Sequence, residues 1–274
     1  MHARRIVMGI EYDGSGFHGW QWQPGQPTIQ SELELALERV ADRPVRVVCS
    51  GRTDAGVHAL EQIVHFDIDV ARTDYAWVMG TNSRLPGDIR VLFAREISPD
   101  FHARTSAIAR VYQYQILNRP MRSALRRTQL TWVPRPIRVE AMQEAAACLV
   151  GEHDFSSFRA KGCQSKSPYR FLHFIRVFGE DDRVIIEVCA NAFLHHMVRN
   201  IAGALIEIGV GKRPPEWLKA LLALKDREQG GVTAPPDGLY FAGVYYPDEF
   251  ELPRHPAFRS LPPGVRRFCP VLTD

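Results

Sequence analysis

Twice along the chain the apolar periodicity runs in the same order, strand, helix, strand, strand, helix, strand, and this doubled order restricts the possible folds more than any single motif does. In the first half, residues 5–12 read as a strand with Ile6, Met8, Ile10 and Tyr12 on one face. After a glycine-rich turn, Thr28 is placed to cap a helix reaching about Ala41, with Ile29, Leu33, Ala36, Leu37 and Val40 on one stripe before Pro44 ends it. Strands at 45–49 and 62–68, a helix at 73–83 and a strand at 89–97 complete the set. The second half repeats it with strands at 110–117, 171–178, 183–190 and 239–246 and helices at 139–150 and 193–208, while an extra helix at 215–224 precedes the last strand. Glu180, Asp181 and Asp182 supply the tight turn between its two middle strands.

The expected fold class is therefore α+β. It consists of two ferredoxin-like (β-α-β-β-α-β) halves with mainly antiparallel sheets that meet, helices on one face, the other face open, and a cleft between the halves. The expected boundaries are an N-terminal domain at 1–104, a C-terminal domain at 105–247, and a Pro-rich tail at 248–274 that wraps over the surface or stays mobile.

A chain of 274 residues, 45% apolar, has ample material for a core. Cys49, Cys148, Cys163, Cys189 and Cys269 form no CxxC pair, so neither disulfides nor a zinc site are expected. The apolar run after Arg5 is too short for a secretory signal. The longest one, 193–210, carries His195, His196, Arg199, Asn200 and Glu207, which are costly in lipid. A cytoplasmic protein without membrane attachment is expected.

The formal net charge is only +3, but its distribution is uneven. No acidic residue lies between Asp100 and Glu140, where Arg104, Arg110, Arg119, Arg122, Arg126, Arg127, Arg135 and Arg138 accumulate. From Phe155 to Gly179 the charges are Arg159, Lys161, Lys166, Arg170 and Arg176, interleaved with aromatic residues. Arginine pairs with phosphate and aromatic faces stack on unpaired bases, so a nucleic acid competes on even terms with a merely solvated basic surface.

Gly51-Arg52-Thr53-Asp54-Ala55-Gly56-Val57-His58 sets one carboxylate in a glycine-flanked loop between two strands. Alone, Asp54 reads as a turn residue capping nearby amides. Arg52 beside it adds a group able to engage phosphate, and the glycines permit close approach of a ligand. His195 and His196 invite a metal reading, but neighbours on a helix point about 100° apart and lack the i, i+4 geometry of paired ligands.

The chain resembles the tRNA pseudouridine synthase A family, whose loop reads GRTDAGVHA, as residues 51–59 do here. Further matches are Tyr12-Asp13-Gly14 with Phe17-His18-Gly19-Trp20-Gln21, Arg110-Val111-Tyr112-Gln113-Tyr114, the run from Asn191 to Asn200, and Ala234-Pro235-Pro236-Asp237-Gly238-Leu239. The resemblance implies isomerisation of uridine to pseudouridine at positions 38, 39 and 40 of the tRNA anticodon stem-loop, in a homodimer, with no cofactor and no metal. It implies Asp54 as the catalytic carboxylate, Arg199 as the cation that keeps it charged, and Tyr112 as the ring against the base. Arg52, Arg104, Arg110, Arg159 and Lys161 are the candidate RNA contacts. A noncatalytic RNA-binding protein would not need a carboxylate beside an anionic ligand, and a small-molecule enzyme would not need the acid-free arginine stretches.

Overall fold

The computed structural model describes residues 3–253. Its strands are β1 (Arg4–Tyr12), β2 (Val48–Cys49), β3 (His58–Ile68), β4 (Ile89–Ile97), β5 (Ala109–Leu117), β6 (Thr131–Trp132), β7 (Gly151–Asp154), β8 (Tyr169–Glu180), β9 (Arg183–Ala190) and β10 (Leu239–Tyr245). The helices are α1 (Ile29–Ala41), α2 (Asp74–Asn82), α3 (Val139–Ala146), α4 (Met197–Gly209) and α5 (Trp217–Leu224).

Two meeting sheets were expected, but the strands form a single sheet in the order β4-β1-β3-β10-β5-β9-β8-β7, with β2 added beside β3 and β6 beside β5. Pairing is antiparallel apart from β5 with β6 and the central seam, where β10 runs parallel to β3 through Tyr240 opposite His58 and Phe241 opposite Ala59. This two-residue seam joins strands far apart in sequence and leaves no local periodicity to announce it.

Local chemistry explains the elements. Thr28 Oγ1 accepts the Ser31 N–H at 3.2 Å while the Thr28 N–H donates to Ser31 Oγ at 3.1 Å, closing a capping box at the start of α1. Thr73 caps α2 one way only, its Oγ1 accepting the Ala76 N–H at 3.1 Å. Asp181, at φ 54°, turns the β8–β9 hairpin, a conformation aspartate tolerates better than most residues. Expected and observed bounds differ most at α4, which begins at Met197 because His196 adopts φ 58°, a left-handed conformation that cannot continue a helix backward to Phe193.

Buried side chains of all five helices, among them Leu33, Trp77, Met142, Ile201 and Leu221, join one core with Met8, Val64, Tyr114 and Val188 from one sheet face. Among the described residues the opposite face carries no helix, but it is not open. Phe101 and Ala103 pack there with Val7, Ile63 and Tyr246, and Phe250 and Leu252 border them. Among the described residues no helix is long and apolar enough to cross a membrane. The expectation for the tail beyond Pro253 falls outside the described residues.

Candidate active site

The seam sets the position of Asp54. β3 emerges from the 50–57 loop at His58, directly opposite Tyr240 of β10, so the loop lies where the two halves of the sheet join. The segment 12–20 supports it from behind. Trp20 donates its N–H to Thr53 O at 3.0 Å, Gly56 donates to Phe17 O at 3.4 Å, and the Tyr12 hydroxyl meets Thr53 Oγ1 at 2.8 Å. Gly14 and Gly19 are required by contact. A Cβ on Gly14 would stand 1.9 Å from Val57 O, and one on Gly19, at φ +85°, 2.6 Å from Thr53 O.

His58 ties three segments. Its Nδ1 stands 3.1 Å from both the Gly14 N and Asp13 Oδ1, its Nε2 is 2.9 Å from Thr128 O, and the ring stacks on Tyr240 with centroids 4.8 Å apart. The loop, the 13–19 turn and the acid-free stretch around Thr128 are thereby fixed to one another.

Asp54 lines a small cleft with Arg52, Val57, Tyr112, Phe193, His196, Arg199 and Leu239. Arg199 Nη1 stands 3.6 Å from Asp54 Oδ2. Arg199 is held from the far side, where its Nε donates to Ala234 O at 2.8 Å and Ala234 N–H donates back to Arg199 O at 3.1 Å. The Ala234-Pro235-Pro236 segment thus aims the guanidinium, and Pro235 O accepts the Tyr114 hydroxyl at 2.9 Å. Four separated sequence segments converge on one carboxylate.

Two residues that sequence reasoning set aside complete the surroundings. His196 Nε2 is 3.3 Å from Asp54 Oδ2 and His195 Nε2 is 3.5 Å from Oδ1, with the two rings 4.0 Å apart. The expectation that they diverge on a helix is corrected: both precede α4, and the left-handed His196 backbone swings the rings to the same side. Asp54, His195 and His196 hold ligand-type atoms within 4.8 Å of one another, the one grouping among the described residues with the donors for a metal ion. Arg199 beside Asp54 would oppose such an ion electrostatically. Burial lowers the His196 imidazole below the ordinary histidine value against the pull of Asp54, and His195 and Arg199 push in the same direction as burial. The adjacent histidines in the sequence were the only signal that could have marked the pair.

Tyr112 projects from β5 into the cleft and is 9% exposed. Phe193 and Phe241 hold its ring edge-to-face, each at 5.0 Å between centroids, contacts worth about 1 kcal/mol apiece. Burial drives its phenol above the ordinary tyrosine value, so the hydroxyl stays protonated at neutral pH. Tyr112, Val57 and Leu239 belong to the helix-side core, so the cleft opens on that face and not on the helix-free one.

The expected RNA contacts divide. Arg52 is exposed at the cleft and Arg104 is exposed on the segment leading into β5. Arg110 is corrected: its guanidinium donates to Ser50 O at 3.1 Å, Asn191 O at 3.0 Å and Arg104 O at 2.7 Å, so it braces the Asp54 loop against the strand end. Arg159 Nη2 donates to Cys163 O and Ser165 O, both at 2.7 Å, and shapes the 159–166 loop, which touches His195 through Ala160 N–H to His195 O at 3.0 Å. Lys161 pairs with Glu228 at 3.1 Å in the solvent, where such a pair contributes little and yields readily to phosphate.

Comparison with known proteins gives a consistent result. The family described as tRNA pseudouridine synthase matches residues 8–106 and 145–247. The chain is 63% identical over 266 residues to the tRNA pseudouridine synthase A of Methylococcus capsulatus, covering 97% of this chain and 98% of that one. It is 54% identical over 250 residues to the protein of the same name from Nitrosococcus oceani, covering 91% and 96%. With that from Pseudomonas aeruginosa it shares 53% over 265 residues, covering 95% and 93%.

Proposed function

The chain belongs to the tRNA pseudouridine synthase family, and on that premise we propose that it isomerises uridine to pseudouridine at positions 38, 39 and 40 of the tRNA anticodon stem-loop. The observation that carries this reading is the Asp54 carboxylate held 3.6 Å from Arg199 in a cleft walled by the Tyr112 ring.

The chemistry asks for few groups. The N1–C1′ bond breaks, the uracil turns within the cleft, C5 bonds to C1′, and the C5 proton leaves while N1 gains one. Atoms and electrons balance within the substrate, so the reaction needs no cofactor and no metal. The Asp54 carboxylate acts at the sugar, either on C1′ as nucleophile or on the C2′ proton as base, and Arg199, 3.6 Å away, positions it. Tyr112 offers a flat ring for the detached base and a neutral phenol near its C5 edge. Val57, Phe193 and Leu239 shut out water that would otherwise let the base escape.

A paired uridine must leave its stack, at a cost of a few kcal/mol. Arg52, Arg104, Arg159 and Lys161 are the groups we assign to the phosphate backbone, with the arginine-rich 119–127 stretch that leads to Thr128. We read the two halves, 1–104 and 105–247, as ferredoxin-like domains. The strand orders β4-β1-β3 with β2 beyond, and β10-β5-β9-β8, support this reading. A cytoplasmic homodimer completes the proposal.

Incubation with unmodified tRNA, followed by base-specific chemical mapping of pseudouridine, tests it. Wild type is expected to modify positions 38–40 and Asp54→Ala to leave them unmodified while still binding tRNA. Absence of new pseudouridine with wild type would overturn the reading.

A further inference from the structure

On the helix-free face, away from the cleft, lies a partly open cavity of about 200 Å³ lined by Glu61, Ile63, Val244, Tyr246, Asp248 and Glu251, with Pro247, Leu252 and Pro253 also along its wall. Glu61 projects from β3 and is 6% exposed. Among the described residues it has no hydrogen-bond or ion-pair partner, and no lysine or arginine lines the cavity. A carboxylate taken from water without a partner is expensive, and burial alone pushes Glu61 up to about 7.

The lining suits one kind of guest. Asp248 and Glu251 place two more acidic side chains at the cavity, Ile63, Val244 and Leu252 offer apolar wall for methylene groups, and Tyr246 presents an aromatic ring. We propose that this cavity binds an organic cation, a guanidinium or primary ammonium carried on a short methylene stem, with Glu61 as its buried counter-ion. The chemistry has two possible sources. One is a free amine. The other is this chain's own 254–274 segment, which follows directly on Pro253 at the cavity and carries Arg254, Arg259, Arg266 and Arg267 against the one acid Asp274.

Titration calorimetry with agmatine on the full-length protein decides between them without recourse to tRNA. Saturable binding to wild type, with Kd below about 1 mM, identifies a free-amine site. Binding that emerges only when Arg254, Arg259, Arg266 and Arg267 are all changed to Gln identifies the chain's own arginine as the resident cation. In whichever background binds, Glu61→Gln is expected to weaken affinity at least about tenfold, and the exposed change Glu251→Arg to do likewise without altering the buried carboxylate. No binding in either background, or affinity indifferent to both substitutions, would overturn the proposal.

Discussion

Arg199 reaches Asp54 Oδ2 at 3.6 Å only because Ala234 O, 2.8 Å from its Nε, fixes the other edge of the guanidinium. Lysine has no second edge to be held, so charge alone should not replace it. Arg199→Ala is expected to lower single-turnover pseudouridine formation by about 100-fold with tRNA affinity within about threefold of wild type, and Arg199→Lys to recover little of the loss. Filter binding beside single-turnover kinetics measures both. Equal losses in rate and affinity would assign Arg199 to RNA binding instead.

Tyr112 makes two separable contributions, a ring wedged between Phe193 and Phe241 and a phenol in the cleft. Tyr112→Phe keeps the ring, so its melting temperature is expected to match wild type within about 2 °C while turnover falls by about tenfold or more, in the range of a lost proton relay. Tyr112→Ala removes the wedge as well and should destabilise by about 3 kcal/mol. Unchanged turnover in Tyr112→Phe would limit the residue to stacking.

Much of the scaffold was legible because its causes are local. Thr28 announces α1 through its cap, and the two-residue β8–β9 turn sits where Asp181 and Asp182 stand. Arg199 was marked as a cation for Asp54 only through resemblance, and their contact was not legible, since 145 positions separate them in sequence and no periodicity links them. What escaped depends on distant backbone. Nothing near Tyr240 says that it will lie beside His58, and nothing in the sequence of Arg110 says that three carbonyls will occupy its guanidinium. Phe193 to His196 continues an apolar helical pattern, and the left-handed turn at His196 carries no Gly or Pro to betray it.

The 13–19 turn supports the Asp54 loop through backbone contact, which makes its glycines more demanding than their exposed neighbours. At Gly14 an added methyl would collide with Val57 O, an atom of the loop backbone, and at Gly19 it meets Thr53 O in a conformation already unfavourable for L-residues. Gly14→Ala and Gly19→Ala are each expected to cost about 2 kcal/mol or more in urea unfolding and to reduce turnover by displacing Asp54. Gly16→Ala, which meets no atom within 4 Å, serves as the control and should leave both unchanged. Equal stability of all three variants would refute the support role of this turn.

Acid sensitivity should trace to His65 on the helix-free face. Its Nδ1 accepts the Ala103 N–H at 3.1 Å, and burial, helped by Arg5 and His102 and opposed by Asp67, lowers it to about 4. The folded protein therefore binds fewer protons there than the unfolded chain between the ordinary histidine value of about 6.5 and about 4. Stability from this group is complete above about pH 6.5 and declines as pH falls through that window, by a total on the order of 3 kcal/mol. His65→Gln can accept the Ala103 N–H through its amide oxygen but cannot titrate. Urea unfolding from pH 7.5 to 4.5 is expected to show a shallower loss of stability for the variant than for wild type, with the two curves converging toward acid. Parallel curves across the window would exclude His65 as the source.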